Sequence, residues 1–432
     1  MNLNELVTAC PGVDFTLPYN SYDASSSIGD YVVKYLTKTL DIIKSSPNIA
    51  NEVILDFMKA DLDDSFLPFT KESLTEYLKC SNATTEKFLL AQSIFFAVSF
   101  ERQEYKSLGP FDFVPFVADA RTYLRAGGYG MVEKVFEGNK SFARKTISDY
   151  DLGKIMVEIK ILRLATDTGN PHLLHLRCAY QQGNHTCLIM YPWCESDLSD
   201  FLKSSHEMPW WTQRTPKAKL ILITNWMACL ASGLSALHKK KIKHQNIKPE
   251  NVLLDADLLP VFCDFGLPKA FDKNSKSVKV QGTRAYLPPE QLDRKVGRKG
   301  DIFSLGLVFV ELALLFFGGK SLEDEFTSGF YLDITKRLPD FLAKKFPLFN
   351  NTIMDEWNKC FQSLMRSMLD ITPENRPKAS EVWQKVKEMV ESLGVKPHCE
   401  DVLSMASIAF ENDEQEDDME LHLRENFAKL LV

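Results

Sequence analysis

The sequence predicts an α+β chain in three parts: a mainly helical region over residues 1–118, a two-part globular domain over 119–395, and an acidic tail over 396–432. Three observations carry this. Apolar residues recur at three-to-four spacing between residues 28 and 100, the period of one buried helix face. From about Ala118 the texture changes to short β-rich runs punctuated by glycines. From Leu198 the helical pattern returns and is broken only by a strand-and-loop block from Ile242 to Phe265. The domain therefore reads as a small β-rich lobe followed by a larger helical one.

In the N-terminal region, Val32, Val33, Leu36, Leu40 and Ile43 mark one helix, Val53 to Met58 a second and Leu74 to Phe100 a third. Ser26 and Ser73 are expected as helix N-caps, and Glu76 completes a capping-box pattern with Ser73. The β-rich lobe follows as RTYLRAGGYGMVEKVFEG, KSFARKTI, a helix over Gly153 to Ala165, then LLHLRCAY and TCLIMYPW. Phe88 to Phe100 is too short to span a bilayer, which takes ~20 apolar residues. Ile302 to Phe317 is also short and carries Glu311 inside, so a buried core helix is expected. The tail contains ENDEQEDDMELHL, read as a solvated charge block closing on an amphipathic pattern at Leu421, Leu423, Phe427, Leu430 and Leu431.

Composition excludes several classes. The 432 residues are 45% hydrophobic and 11% aromatic, ordinary values for a globular protein with ample core material. A net charge of −7 provides no basic field for nucleic acid. Nine scattered cysteines without a C-x-x-C pair fit reduced thiols better than a disulfide framework or a zinc site. The N-terminus lacks a basic segment leading into an apolar run, so no signal peptide is expected. A cytoplasmic or nuclear protein with no membrane span is the expectation. Histidines 172, 175 and 185 have no thiol or carboxylate at ligand spacing, so no metal is assigned to them. Lys239, Lys240, Lys241 and Lys243 read as a solvated turn, and Trp210–Trp211 as packing between helices.

The chemistry-bearing positions occur in a fixed order. Gly127 and Gly130 sit in a strand–turn–strand context, where backbone N–H groups can close over phosphates without Cβ interference. Fifteen residues after Gly130 comes Lys145 on a strand, and thirteen further on Glu158 on a helix. A lysine paired to a helical glutamate is held ready for nucleotide phosphates. Then follow HQNIKPENVLL from His244 to Leu254, and Asp264-Phe265-Gly266.

From about Leu124 to Val390 this order resembles the eukaryotic protein-kinase family on its serine/threonine side, which implies a bilobal α+β fold binding ATP and Mg²⁺. The resemblance implies that Gly127 and Gly130 cover the phosphates, with Arg125 departing from the first glycine of that loop. Lys145 matches the phosphate anchor, Glu158 its partner, Asn251 and Asp264 the magnesium-holding positions, and Lys248 the lysine that neutralises the transferred phosphate. Val132, Ala143 and Leu253 align to sandwich adenine, and Met190 falls at the position controlling access to the rear of the pocket, where a gap-filling core methionine is equally compatible. Leu162, Leu176, His244 and Phe265 align as a hydrophobic spine. Gly282 to Glu290 resembles the substrate-docking segment with Pro288 in place of alanine, while Asp301 matches the buried aspartate of the large lobe and Arg376 the partner of Glu290. Residues 103–116 are similar to the lead-in of a fungal group of such kinases.

The departures bear on function. Gln245-Asn246 stands where the family has Arg-Asp. An amide is neutral and takes no proton at physiological pH, and loss of a general base typically costs ~10²–10⁴-fold in rate. Gln245 also removes a cation that reads activation-loop phosphate, which argues against switching through Ser275, Ser277 or Thr283. Three readings stand. One is a pseudokinase that binds ATP and acts on a protein partner as scaffold or allosteric regulator. Another is a weakly active Ser/Thr kinase, because phosphoryl transfer has a loose transition state governed by positioning and electrostatics. The third is another transfer, such as nucleotidylation, or an engineered change at Asn246.

Overall fold

The computed structural model describes residues 18–20, 23–27, 36, 38–39, 42, 53, 57, 64, 67–77, 82–110, 112–119, 125–127, 130–148, 152–265, 286–290, 297–318, 322, 340–346 and 352–398. Ser275, Ser277, Thr283, Gly266, most of the expected helix at 28–43 and the tail beyond residue 398 lie outside them. The chain forms two compact units. The first takes Met1–Glu101, Ser107–Ala120 and Val135–Lys140, and the second takes Arg102–Lys106, Arg121–Lys134 and Ser141–Val432.

The first unit holds a hairpin of β1 (Pro18–Asn20) and β2 (Asp23–Ser27), then helices α1 (Lys71–Tyr77) and α2 (Asn82–Phe95). Ser26 therefore lies in strand β2, and the start of the helix it was expected to cap lies outside the described residues. The second expected cap is displaced too. Thr70 precedes α1, Ser73 N–H donates to Thr70 Oγ1 at 3.1 Å, and Thr70 N–H donates to Ser73 Oγ at 3.0 Å. The reciprocal box is thus Thr70 with Ser73 as its third-position partner, one turn earlier than the serine–glutamate pattern indicated. Phe57, Phe69 and Phe88 cluster in the core with centroids 5.1–6.2 Å apart. Gln92 closes the cluster by bonding both the N–H and the C=O of Phe69. A strand β4 (Val117–Ala118) pairs with Val135 and Phe136.

The small lobe is a sheet in the order β3-β8-β9-β7-β6 with β5 paired to β6, and the β5–β6, β7–β9 and β8–β9 pairs are antiparallel. The ranges are β3 Glu104–Leu108, β5 Arg125–Gly127, β6 Gly130–Glu137, β7 Lys140–Ser148, β8 His175–Gln182 and β9 His185–Tyr191. Helix α3 (Leu152–Thr166) enters between β7 and β8 and buries Ile155, Ile159 and Leu162 on one stripe. Strand β3 falls in the stretch read as helical. Its partner is distant in sequence: Gln103 N–H donates to the Arg177 carbonyl at 2.7 Å, and Arg163 Nε donates to the Gln103 carbonyl. Edge pairing of this kind leaves no local period to read.

The larger lobe is helical around a three-stranded sheet, β10 (Ser196–Asp197), β11 (Val252–Leu254) and β12 (Pro260–Phe262). Its helices are α4 (Leu198–Ser204), α5 (Pro216–Lys239), α6 (Arg298–Phe317), α7 (Thr352–Met368) and α8 (Ala379–Ser392). Asp197 caps α4 and Thr215 caps α5, each accepting from the backbone N–H three residues on, and Pro216 stands at the first position of α5, where its missing N–H costs nothing. Helix α6 stops at Gly318, whose φ of +69° is the left-handed conformation a helix C-terminus favours in glycine. By length and composition α5 and α6 could each cross a membrane, yet 83% of the most apolar window of each is buried inside the fold. Both lie largely inside the larger lobe.

Candidate active site

Strand β7 delivers the first functional side chain. Ala143 and Lys145 are two residues apart and so share one face of the sheet. Ala143 is buried opposite Met190 of β9, and Lys145 lies opposite Leu188. Lys145 Nζ meets Glu158 Oε1 of α3 at 2.7 Å, with both side chains largely enclosed. Gly127 and Gly130 face each other across the β5–β6 turn, and Val132 pairs with Arg125. Gly130 has φ +144°, and a Cβ there would collide with the Thr146 carbonyl of the neighbouring strand. Only glycine fits that position.

The loop before β11 is suspended from α6. Asp301, buried, accepts the backbone N–H groups of His244 at 2.9 Å and Gln245 at 2.7 Å, and pairs with His238 Nε2 at 2.9 Å. Gln245 takes φ +63°, a strained value that this double anchor sustains. Asn251 Nδ2 donates to the Asn246 carbonyl at 2.7 Å, and Cys263 N–H donates to the Asn251 carbonyl. With its amide nitrogen committed, Asn251 turns its oxygen to any ligand. Asp264, exposed at φ +60°, follows directly after Cys263. An amide oxygen and a carboxylate form an all-oxygen donor set, the kind a magnesium ion takes. Lys248 Nζ is 3.9 Å from Glu250 Oε2. Asn246 itself is buried, and its Nδ2 has no hydrogen-bond partner among the described residues.

Leu162, Leu176, His244 and Phe265 are all buried, and the rings of His244 and Phe265 lie 5.9 Å apart. Leu253 of β11 is partly buried between Val261 and Asp197. Further along, Arg376 forks onto Glu290, Nη1 to Oε1 at 2.7 Å and Nη2 to Oε2 at 2.9 Å, and its guanidinium lies over the Phe303 ring. Pro288 is buried in that segment, and Tyr286 donates its hydroxyl to buried Glu311 at 2.9 Å. The Tyr286–Glu311 bond and the His238 contact to Asp301 escaped the sequence reading, because no local spacing links residues 25 and 63 positions apart. Trp210 stacks on Phe201 and Trp211 is buried beside them, while Lys239, Lys240 and Lys241 lie exposed. Burial raises the Asp255 carboxyl to about 6, against the lowering effect of N–H donors from Leu259 and Asp257.

The protein kinase domain model matches residues 121–386, more than half of the chain. The chain belongs to the protein kinase family. Among curated relatives it is 31% identical over 208 residues to the LRR receptor kinase SERK2 of Oryza sativa subsp. japonica, covering 44% of this chain and 32% of that protein. It is 30% identical over 188 residues to the PR5-like receptor kinase of Arabidopsis thaliana, covering 39% and 27%. To the serine/threonine-protein kinase Nek3 of Oryza sativa subsp. japonica it is 24% identical over 274 residues, covering 59% and 43%. The chain spans less than half the length of each. Protein kinases bind ATP, and this kinase domain has the α+β bilobal fold of its family.

Proposed function

We propose that this chain is an ATP- and Mg²⁺-binding protein kinase domain with impaired phosphotransfer, acting on a protein partner as a scaffold or allosteric regulator. The observation that carries this reading is Asn246, a neutral amide at the base position of a loop whose surroundings retain their hydrogen bonds. Lys145, oriented by Glu158, would hold the nucleotide phosphates. Val132, Ala143, Met190 and Leu253 would enclose the adenine, and Gly127 and Gly130 would close over the phosphates. Asn251 and Asp264 would hold the metal, which when bound neutralises phosphate charge. Lys248 would face the transferred group. Asn246 can orient a substrate hydroxyl by a hydrogen bond but takes up no proton, so the hydroxyl must lose it to solvent or phosphate. Residues 1–118 are proposed as the docking region, and the chain as cytoplasmic without a membrane span. The burial of α5 and α6 supports the latter.

The test pairs binding with turnover. Thermal melts with ATP and MgCl₂ are expected to show magnesium-dependent stabilisation that Lys145→Ala abolishes. Phosphotransfer to a generic serine/threonine peptide is expected to be at background and to rise by ~10²–10⁴-fold in Asn246→Asp. Absence of a nucleotide-dependent shift would overturn the binding half of the proposal. Turnover in the unaltered chain that Lys145→Ala removes would favour a slow Ser/Thr kinase.

A further inference from the structure

Away from the nucleotide cleft, three residues remote in sequence converge inside the larger lobe. His172 precedes β8, Cys229 lies in the middle of α5, and His398 follows α8. One ring nitrogen of each histidine and the Cys229 sulfur all lie within 4.8 Å of one another. Cys229 and His172 are fully buried, and His398 keeps 8% of its surface. The expectation that His172 lacked a thiol partner fails because the thiol is 57 residues away, on a helix that the fold brings alongside.

The hydrogen bonds around His172 define its chemistry. Its Nδ1 lies 3.1 Å from the Pro260 carbonyl, and a carbonyl only accepts, so Nδ1 carries the proton. With Nδ1 as the donor, Nε2 is the nitrogen left to bind a ligand, and it is buried with no hydrogen-bond partner among the described residues. An imidazole fixed by a carbonyl on one nitrogen and bare on the other is the arrangement metal-ligating histidines adopt. The loop bearing it is fastened to α5, since Asn170 Nδ2 donates to Ser232 Oγ and Asn170 Oδ1 accepts from the His172 N–H. The third ligand is fastened to the same helix, with the His398 N–H donating to Asn225 Oδ1, one turn before Cys229.

We propose that His172, Cys229 and His398 bind a single Zn²⁺ ion that ties the end of the kinase domain to α5. Two imidazoles and a thiolate suit a borderline-soft d¹⁰ cation. Zinc holds sulfur at ~2.3 Å and nitrogen at ~2.0–2.1 Å, which sets ligand atoms roughly 3.3–3.7 Å apart, so ligand atoms now within 4.8 Å of one another close by about 1.5 Å at most on binding. On binding, the Cys229 thiol gives up its proton to solvent as the zinc–sulfur bond forms. The site then carries one net positive charge, and acid weakens it by returning that proton.

The full chain, stripped with chelator, desalted and given ZnCl₂, is expected to retain about one zinc per chain by elemental mass spectrometry. Its melting temperature rises by roughly 5 °C in zinc well above the dissociation constant. His398→Ala loses both effects. Cobalt substituted for zinc gives a thiolate-to-metal charge-transfer band in the near ultraviolet, which Cys229→Ser removes and Cys360→Ser leaves intact, Cys360 being the exposed thiol among the described residues. If Cys229→Ser does not fold, His398→Ala and the cobalt band of the unaltered protein decide the matter. Failure to retain zinc, equal retention by His398→Ala, or loss of the band in Cys360→Ser would each overturn the site. None of these readouts depends on nucleotide binding.

Discussion

At His244 and Gln245 the catalytic-loop backbone donates both N–H groups to a buried carboxylate, Asp301, which also pairs with His238. One residue later the Asn246 side chain ends in a buried Nδ2 that no acceptor among the described residues meets. The same loop thus holds a backbone frame whose N–H groups at His244 and Gln245 are satisfied, beside a side-chain amide nitrogen that meets no acceptor among the described residues. Decay would have loosened both, since an unheld loop gains nothing from keeping Asp301. The contrast separates two parts of the loop: a backbone path fixed by Asp301, and a side chain at Asn246 that the hydrogen bonds around it do not hold.

The sharpest way to break the contrast is to remove the frame. Asp301→Ala strands two backbone donors and His238 in the lobe interior. Losing one member of a buried charged network costs about 3–5 kcal/mol. Urea unfolding at neutral pH is expected to show that loss, with the folded fraction falling at 37 °C. A change below about 1 kcal/mol would mean that the frame contributes little and that the comparison is misdrawn.

How much of this frame could be read beforehand follows from the range of each interaction. Lys145 and Glu158 are thirteen residues apart and sit on a strand and a helix with clear periods, so order and spacing point to them. Asp301 and Arg376 emerge only by resemblance, since their partners lie 56–57 and 86 residues away. The capping of α1 was misread because Ser73 satisfies the pattern at two registers, and only the helix start decides between them. Strand β3 was missed because its hydrogen bonds belong to β8, and the His172–Cys229–His398 cluster because no period spans it. Local propensity carries the elements, while long-range pairing carries the site.

Acid offers a second, smaller separation, because it acts on the sheet independently of the loop. His175, stacked on Tyr191, is fully buried, and desolvation lowers its pKa from 6.5 to about 4. The folded ring stays neutral while the unfolded chain takes up a proton below pH 6.5, so His175 contributes its full stability above that pH. The contribution declines as pH falls toward 4, by about 3 kcal/mol at most. Stability measured from pH 7 to 4 is expected to fall with a slope that His175→Phe reduces by up to one proton. A slope unchanged in His175→Phe would place the acid sensitivity elsewhere than in the β8–β9 sheet.

The smallest effect tests the reactive position itself. A buried donor left without an acceptor costs about 1–3 kcal/mol, whereas an apolar side chain of similar shape carries no such cost. Asn246→Leu keeps the volume of the side chain and leaves the Asn246 carbonyl, which accepts from Asn251, in place. Its unfolding free energy is therefore expected to match that of the unaltered chain or exceed it by up to about 1 kcal/mol. A loss of more than about 1 kcal/mol would show that the Asn246 amide supports the fold, and that frame and reactive position are a single structural unit. With Asp301→Ala destabilised and Asn246→Leu neutral, the loop is preserved for its backbone path, and the amide at its centre is free of any folding role.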